Sequence, residues 1–269
     1  MNVYPTDEQA REAILEIGRR MYAKNYVAAN DGNISCKVAD GIWATPTGVS
    51  KGFMQKDELV KLRLDGSVLQ AGPRNVSSEI KMHLRVYNEN STVGGVTHAH
   101  PPYCTAFAVA GLSLDRAVYP EALVNLGVVP CVHYETPGSQ GIPDSIAPYC
   151  TTHNAVLLAN HGALSWAKTV VEAFYRLESM EHYAHILIIT GKILGHARLL
   201  TSKQIDDLLE IRKKLGVTTG GCPGETAGHG AGSGDVLGTP DEVFSPPATA
   251  ADMARLYAAL ERIEKRMTD

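Results

Sequence analysis

His98-Ala99-His100 closes the apolar run 93–97, which reads as a β-strand. Side chains alternate across a strand, so His98 and His100 project from the same side, about 6 to 7 Å apart along the chain, and both imidazoles can reach one metal ion. A third histidine, His161, follows a second apolar run, 155–159, and precedes Gly162, which allows a sharp turn at a strand end. Catalytic zinc commonly keeps three protein ligands and an open position for water or substrate, and three neutral imidazoles leave the ion a strong Lewis acid. The spacing therefore predicts a catalytic Zn²⁺ site on His98, His100 and His161.

Glu79 is the expected fourth partner. It follows Ser77-Ser78 and opens a segment with Ile80, Leu84 and Tyr87 on one helical face, so a serine is expected to cap the helix and Glu79 to lie in its first turn. A glutamate there is also favoured by the helix dipole alone, by a few tenths of a kcal/mol to about 1 kcal/mol.

These residues, with two upstream segments, form an ordered set: Asn30-Asp31-Gly32-Asn33-Ile34-Ser35, Thr45-Pro46-Thr47-Gly48, Ser77-Ser78-Glu79, His98-Ala99-His100-Pro101 and Ala159-Asn160-His161-Gly162. The set resembles the signature of the class II aldolase/adducin family, over about residues 6 to 215. The resemblance implies that zinc is held by His98, His100 and His161, and that Glu79 ligates the metal and then moves away to act as general base. It implies cleavage of a ketose 1-phosphate to dihydroxyacetone phosphate and an aldehyde, with L-fuculose 1-phosphate or a 5-deoxy- or 5-methylthio-ribulose 1-phosphate as candidates. Gly32-Asn33, Thr47-Gly48 and Ser77-Ser78 match the pairs that bind substrate phosphate, and each exposes backbone or a small polar group suited to an anion. The resemblance also implies a general acid, a tyrosine contributed by an adjacent subunit, for which Tyr119, downstream of the histidine pair and in no family motif, is the candidate, and it implies a homotetramer with sites between subunits. Two other readings stay open: a sugar-phosphate 4-epimerase of the same family, which typically has aspartate at the place of Glu79, and a non-catalytic adducin-like binding domain.

The elements that must carry these residues alternate. A capping box, Thr6 to Gln9, opens a first helix. Strand pairs 33–38 with 41–45 and 60–64 with 67–69 are expected to turn at Asp40-Gly41 and Asp65-Gly66. Helix 78–88, strand 93–98, helix 102–110, strand 128–134, helix 144–153, strand 155–160 and helices 170–194 and 201–215 follow. This predicts an α/β fold, a three-layer α/β/α domain; the resemblance adds that the central sheet is mainly antiparallel. The aldolase domain is expected over 1–215, a Gly/Pro-rich linker or lid over 216–247, and a C-terminal helix within 248–269. His182 and His185 stand three apart on the long helix but match no family ligand, and Gly228 to Gly234 lacks the strand and helix that a nucleotide-binding loop needs.

A net charge of -4 gives no basic footprint for nucleic acid, and no apolar run approaches the ~20 residues that span a membrane. With 44% hydrophobic residues, 269 residues can bury a substantial core. Five cysteines without a C-x-x-C spacing read as reduced packing residues, and the amino terminus lacks a signal-peptide pattern, so a cytoplasmic protein is expected.

Overall fold

A computed structural model describes residues 4–222. The expected glycine-rich stretch from residue 223 onward and the helix within 248–269 lie outside the described residues. Eight strands form one sheet in the order β4-β3-β2-β1-β5-β8-β7-β6. They are β1 (Asn33–Val38), β2 (Gly41–Ala44), β3 (Val60–Leu62), β4 (Val68–Gln70), β5 (Gly95–Ala99), β6 (Cys131–Val132), β7 (Ala155–Leu158) and β8 (Gly162–Ala167). Every neighbouring pair is antiparallel except β6 with β7.

Two apolar layers sandwich this sheet. On one face, α1 (Asp7–Ala23), α3 (Pro102–Val109) and α6 (Val170–Ile188) pack Ile14, Ile17, Phe107, Phe174 and Leu177 against Ile34, Cys36 and Leu157. On the other, α2 (Ile80–Glu89) and α5 (Gly141–Ile146) pack Met82, Val86, Tyr87 and Ile146 against Val96, Val156, Leu164 and Trp166. Alternate strand residues enter opposite layers, as period-2 geometry requires. The arrangement is the expected three-layer α/β/α sandwich with a mainly antiparallel centre.

Several local expectations are corrected. The β1–β2 loop is Ala39-Asp40, because Gly41 already pairs with Val38; glycine is needed at 41 since a Cβ would lie 2.2 Å from the Leu62 carbonyl oxygen. The sharp turn between β7 and β8 is made by Asn160, in the left-handed region at φ 55°, while Gly162 is the first residue of β8. A short helix, α4 (Pro120–Asn125), with Tyr119 at its N-cap position, lies between the expected helix 102–110 and strand 128–134, α5 begins at Gly141 in place of residue 144, and β6 keeps two residues of the expected seven. The last helix, α7 (Ser202–Lys214), carries a Thr201 capping box. Beyond it the chain stays tied to the domain: Gly220 N–H donates to Thr152 O at 2.7 Å and Val128 N–H to Gly220 O at 2.7 Å.

Candidate active site and metal centre

The register of the sheet brings the chemistry together. Asn33 is the direct partner of His98 across β1–β5, and Leu164 of β8 pairs with His98 on the other side. His100 lies just past the end of β5, its N–H donating to Tyr26 O at 2.9 Å, and His161 sits in the three-residue β7–β8 loop beside Asn160. One nitrogen from each of the three imidazoles lies within 4.8 Å of the others.

The ring orientations follow from what the far nitrogens touch. His98 Nδ1 is 2.9 Å from the Ala163 carbonyl, which can only accept, so Nδ1 carries the proton and Nε2 presents its lone pair. His100 Nδ1 faces the Asp31 carboxylate at 3.4 Å, which turns its Nε2 inward by the same reasoning. The two Nε2 atoms are 3.2 Å apart. Neutral nitrogens presenting lone pairs to each other at that separation repel unless a cation lies between them, and ligands at 2.0–2.1 Å on tetrahedral zinc stand about 3.3 Å apart. Burial pushes His98 well below the usual histidine range and also lowers His100, so both are the neutral form that a metal needs. The residues therefore fit a divalent metal.

Glu79 closes the fourth side. Its Oε1 lies 3.1 Å from His161 Nε2 and its Oε2 3.6 Å from His98 Nε2, while Asn33 Nδ2 donates to Oε2 at 2.7 Å. Burial opposes ionisation of Glu79, but the hydrogen bonds its carboxylate accepts from His161 and Asn33 help hold it below the usual carboxylate range. Its local setting differs from expectation. The regular helix starts at Ile80 with Glu79 at its N-cap position, φ -84° and ψ 2°, making no side-chain capping bond itself, while Ser77 Oγ accepts from the Glu79 N–H at 3.4 Å, a long version of the expected serine cap. Ser77 is also tied to the neighbouring segment through its N–H to Thr45 O at 3.3 Å, and its carbonyl accepts the Ile80 N–H at 3.1 Å, a single tight turn that leads into the regular helix from Ile80. The carboxylate is thereby free of capping and enters the cleft.

That cleft, of about 360 Å³, is lined by Gly32, Thr47, Gly48, Ser77, Ser78, Glu79, His100 and His161. Asn33 stands behind it, against Glu79. The Thr47 N–H donates to Asn75 O at 2.9 Å and Pro46 bridges to Val76, which draws the Thr-Gly turn beside the serine pair. Gly32 is fixed by shape as well: its φ is 75°, and a Cβ would come within 2.8 Å of the His98 carbonyl oxygen. Tyr119 is not in this cleft. It lines a separate hollow with Glu121, Tyr175, Glu178, Ser179 and His182, its ring 5.7 Å from that of His182.

Two functional candidates escaped the sequence reading. Lys51 is buried at the cleft wall, donating to Asn30 O at 2.8 Å and Val49 O at 2.7 Å. Burial pushes it down to about 8, against the opposing pull of Asp31 and Glu79. The other is His83, fully buried behind Asn33. Its signal was its place four residues after Glu79, on the same helical face.

Comparison with known proteins agrees with this geometry. Residues 12–188 match the family described as "Class II Aldolase and Adducin N-terminal domain". The chain is 32% identical over 203 residues to a 5-deoxy-D-ribulose 1-phosphate aldolase of Bacillus thuringiensis, covering 75% of this chain and 94% of the relative. It is 30% identical over 207 residues to a 3-oxo-tetronate 4-phosphate decarboxylase of Escherichia coli, covering 75% and 96%. Among solved structures, an L-fuculose 1-phosphate aldolase superposes with a TM-score of 0.71 at 25% identity, over 78% of this chain and 99% of the other. The motif order, the sheet and the match over 12–188 converge on one conclusion: this chain belongs to the class II aldolase and adducin family.

Proposed function

We propose that this protein is a zinc-dependent aldolase that reversibly cleaves a ketose 1-phosphate, of the L-fuculose or 5-deoxy- or 5-methylthio-ribulose type, to dihydroxyacetone phosphate and an aldehyde. The observation that carries the reading is the placement of Glu79 Oε1 3.1 Å from His161 Nε2, a carboxylate at the head of three imidazoles and beside a polar cleft. A binding domain without chemistry has no use for that set, and the epimerase reading would place aspartate at this position.

His98, His100 and His161 would hold zinc. Bound there, the ion supplies the positive charge that stabilises negative charge developing on substrate oxygens. Thr47, Gly48, Ser77 and Ser78, with Gly32 and Asn33, take the phosphate. In the synthetic direction Glu79 removes a proton from the hydroxymethyl carbon of dihydroxyacetone phosphate, and the electron pair left on carbon forms the new bond to the aldehyde carbonyl carbon. The aldehyde oxygen then gains a proton; in cleavage each transfer reverses.

Tyr119 is the proposed source of that proton, as Tyr119 of the partner subunit, because in its own chain it lies in a different hollow from Glu79. A homotetramer with sites between subunits is part of the proposal, as is a cytoplasmic setting. No helix among the described residues is long and apolar enough to cross a membrane.

A retro-aldol screen tests the reading. The zinc-loaded protein is given L-fuculose 1-phosphate, 5-deoxyribulose 1-phosphate, 5-methylthioribulose 1-phosphate and, as competitor, 3-oxo-tetronate 4-phosphate. Dihydroxyacetone phosphate release from one of the ketose 1-phosphates is expected. Carbon dioxide release from the oxo acid without cleavage of any ketose 1-phosphate would overturn it.

A further inference from the structure

Behind Glu79 runs a closed chain of buried polar groups. Asn33 Oδ1 is 2.5 Å from His83 Nε2, His83 Nδ1 is 2.7 Å from Ser35 Oγ, and Ser35 Oγ is 2.9 Å from the Tyr87 hydroxyl, which also lies 3.0 Å from the Ser35 carbonyl. His83 and Ser35 are fully buried, and Asn33 and Tyr87 are each 2% exposed. The chain exists because two periodicities meet: Glu79, His83 and Tyr87 form an i, i+4, i+8 stripe along the helix axis, and Asn33 and Ser35 share one face of β1.

Proton placement along this chain has one consistent solution. A carboxylate offers acceptors only, so the Asn33 atom 2.7 Å from Glu79 Oε2 is the NH₂ group, and Oδ1 faces His83. His83 Nε2 must then donate to Oδ1, its Nδ1 must accept, and the Ser35 hydroxyl supplies that proton. The Tyr87 hydroxyl donates in turn to Ser35. No member is left unsatisfied. With the opposite tautomer, His83 would take a hydrogen bond from Asn33, the amide would turn over, and its carbonyl oxygen would face the carboxylate.

We propose that His83 is a positioning residue for Glu79: its Nε2–H locks the Asn33 amide so that the NH₂ group always faces the carboxylate and the cleft. Asn33 is then a donor only, toward Glu79 before substrate binds and toward the anionic substrate after the carboxylate moves. His83 touches neither metal nor substrate. The catalytic consequence rests on the reading of Glu79 as the general base, whereas the tautomer does not.

Two measurements on the zinc-loaded protein decide it. In ¹⁵N-histidine NMR, His83 is expected with Nε2 protonated and Nδ1 bare; a protonated Nδ1 overturns the proposal whatever the enzyme's substrate. In steady-state cleavage of the ketose 1-phosphate turned over by the wild type, His83→Leu is expected to lower kcat at least tenfold per zinc-loaded chain. His83→Gln, whose amide can still donate to Asn33, is expected to return kcat to within about threefold. Equal kcat in all three proteins, or equal loss in Leu and Gln variants that retain zinc and a cooperative melt, overturns it, since a merely structural histidine would change the melt and not the kcat split. Should His83→Leu not fold, Ser35→Ala takes its place, with a severalfold fall in kcat expected and an unchanged kcat contradictory. Failure of the wild type to cleave any ketose 1-phosphate contradicts the functional reading instead, and the NMR result still decides the orientation of Asn33.

Discussion

Asn33 and His98 are paired residues across the β1–β5 ladder, and both reach the same carboxylate: Asn33 Nδ2 at 2.7 Å and His98 Nε2 at 3.6 Å from Glu79 Oε2. A sheet register has thus set the distance between a hydrogen-bond donor and a metal-binding imidazole. A slip of one residue would send either side chain to the opposite face, so the chemistry depends on the same buried pattern that fixes the strand.

The metal prediction follows first. His98→Ala removes one nitrogen and leaves its neighbours unable to complete a three-imidazole set, so zinc per chain measured by elemental analysis should fall at least tenfold, with activity falling in parallel. Prolonged EDTA treatment of the wild type should do the same, and zinc should restore it. Stoichiometric zinc in His98→Ala would refute the ligand assignment.

Lys51 gives a pH signature. Its pKa, near 8 inside the cleft wall against 10.5 in its ordinary state, means that the cation is present below pH 8 and lost as pH rises through that value. Lys51 lines the same cleft as Thr47, Gly48, Ser77 and Ser78, so its cation is proposed to assist them with the phosphate, and KM for a ketose 1-phosphate should climb above pH 8 while kcat changes less. Lys51→Met should raise KM about tenfold at pH 7, the loss expected for one charge-assisted contact of about 1.5 kcal/mol, and should flatten the rise above pH 8. A KM profile identical in the two proteins would remove Lys51 from phosphate binding.

Much of the site was legible because its residues carry strong local signals. His98 and His100 share a side of the chain through strand periodicity, although His100 lies one residue past β5, and Gly32, just before β1, and Gly48 both sit at positive φ that glycine accepts readily. The errors arose where tertiary contacts override local preference. Ser77 does accept the Glu79 N–H, but its own N–H is claimed by Thr45, and the regular helix starts only at Ile80, which leaves the Glu79 side chain out of any capping bond. Gly162 looked like the turn residue, but the chain uses Asn160, whose N–H is tied to Ala108 O at 3.0 Å.

His83 and Lys51 were missed for a different reason. Each is a polar residue whose use depends on a partner far along the chain, Asn33 for one and the Asn30 carbonyl for the other. The sheet order has the same character: pairing of β5 with both β1 and β8 is a property of the closed fold, and the resemblance to a family anticipated only that the sheet is mainly antiparallel.

The central claim is that Glu79 moves a proton at carbon. It is tested most directly by exchange of a hydroxymethyl hydrogen of dihydroxyacetone phosphate with deuterium from D₂O, followed by NMR in the absence of aldehyde. Zinc-loaded wild type should exchange one of the two hydrogens, and zinc-loaded Glu79→Gln should bind the same ligand yet exchange it about 10² to 10⁴ times more slowly, the usual contribution of positioned proton transfer. Undiminished exchange in a Glu79→Gln protein that retains its zinc would contradict the account.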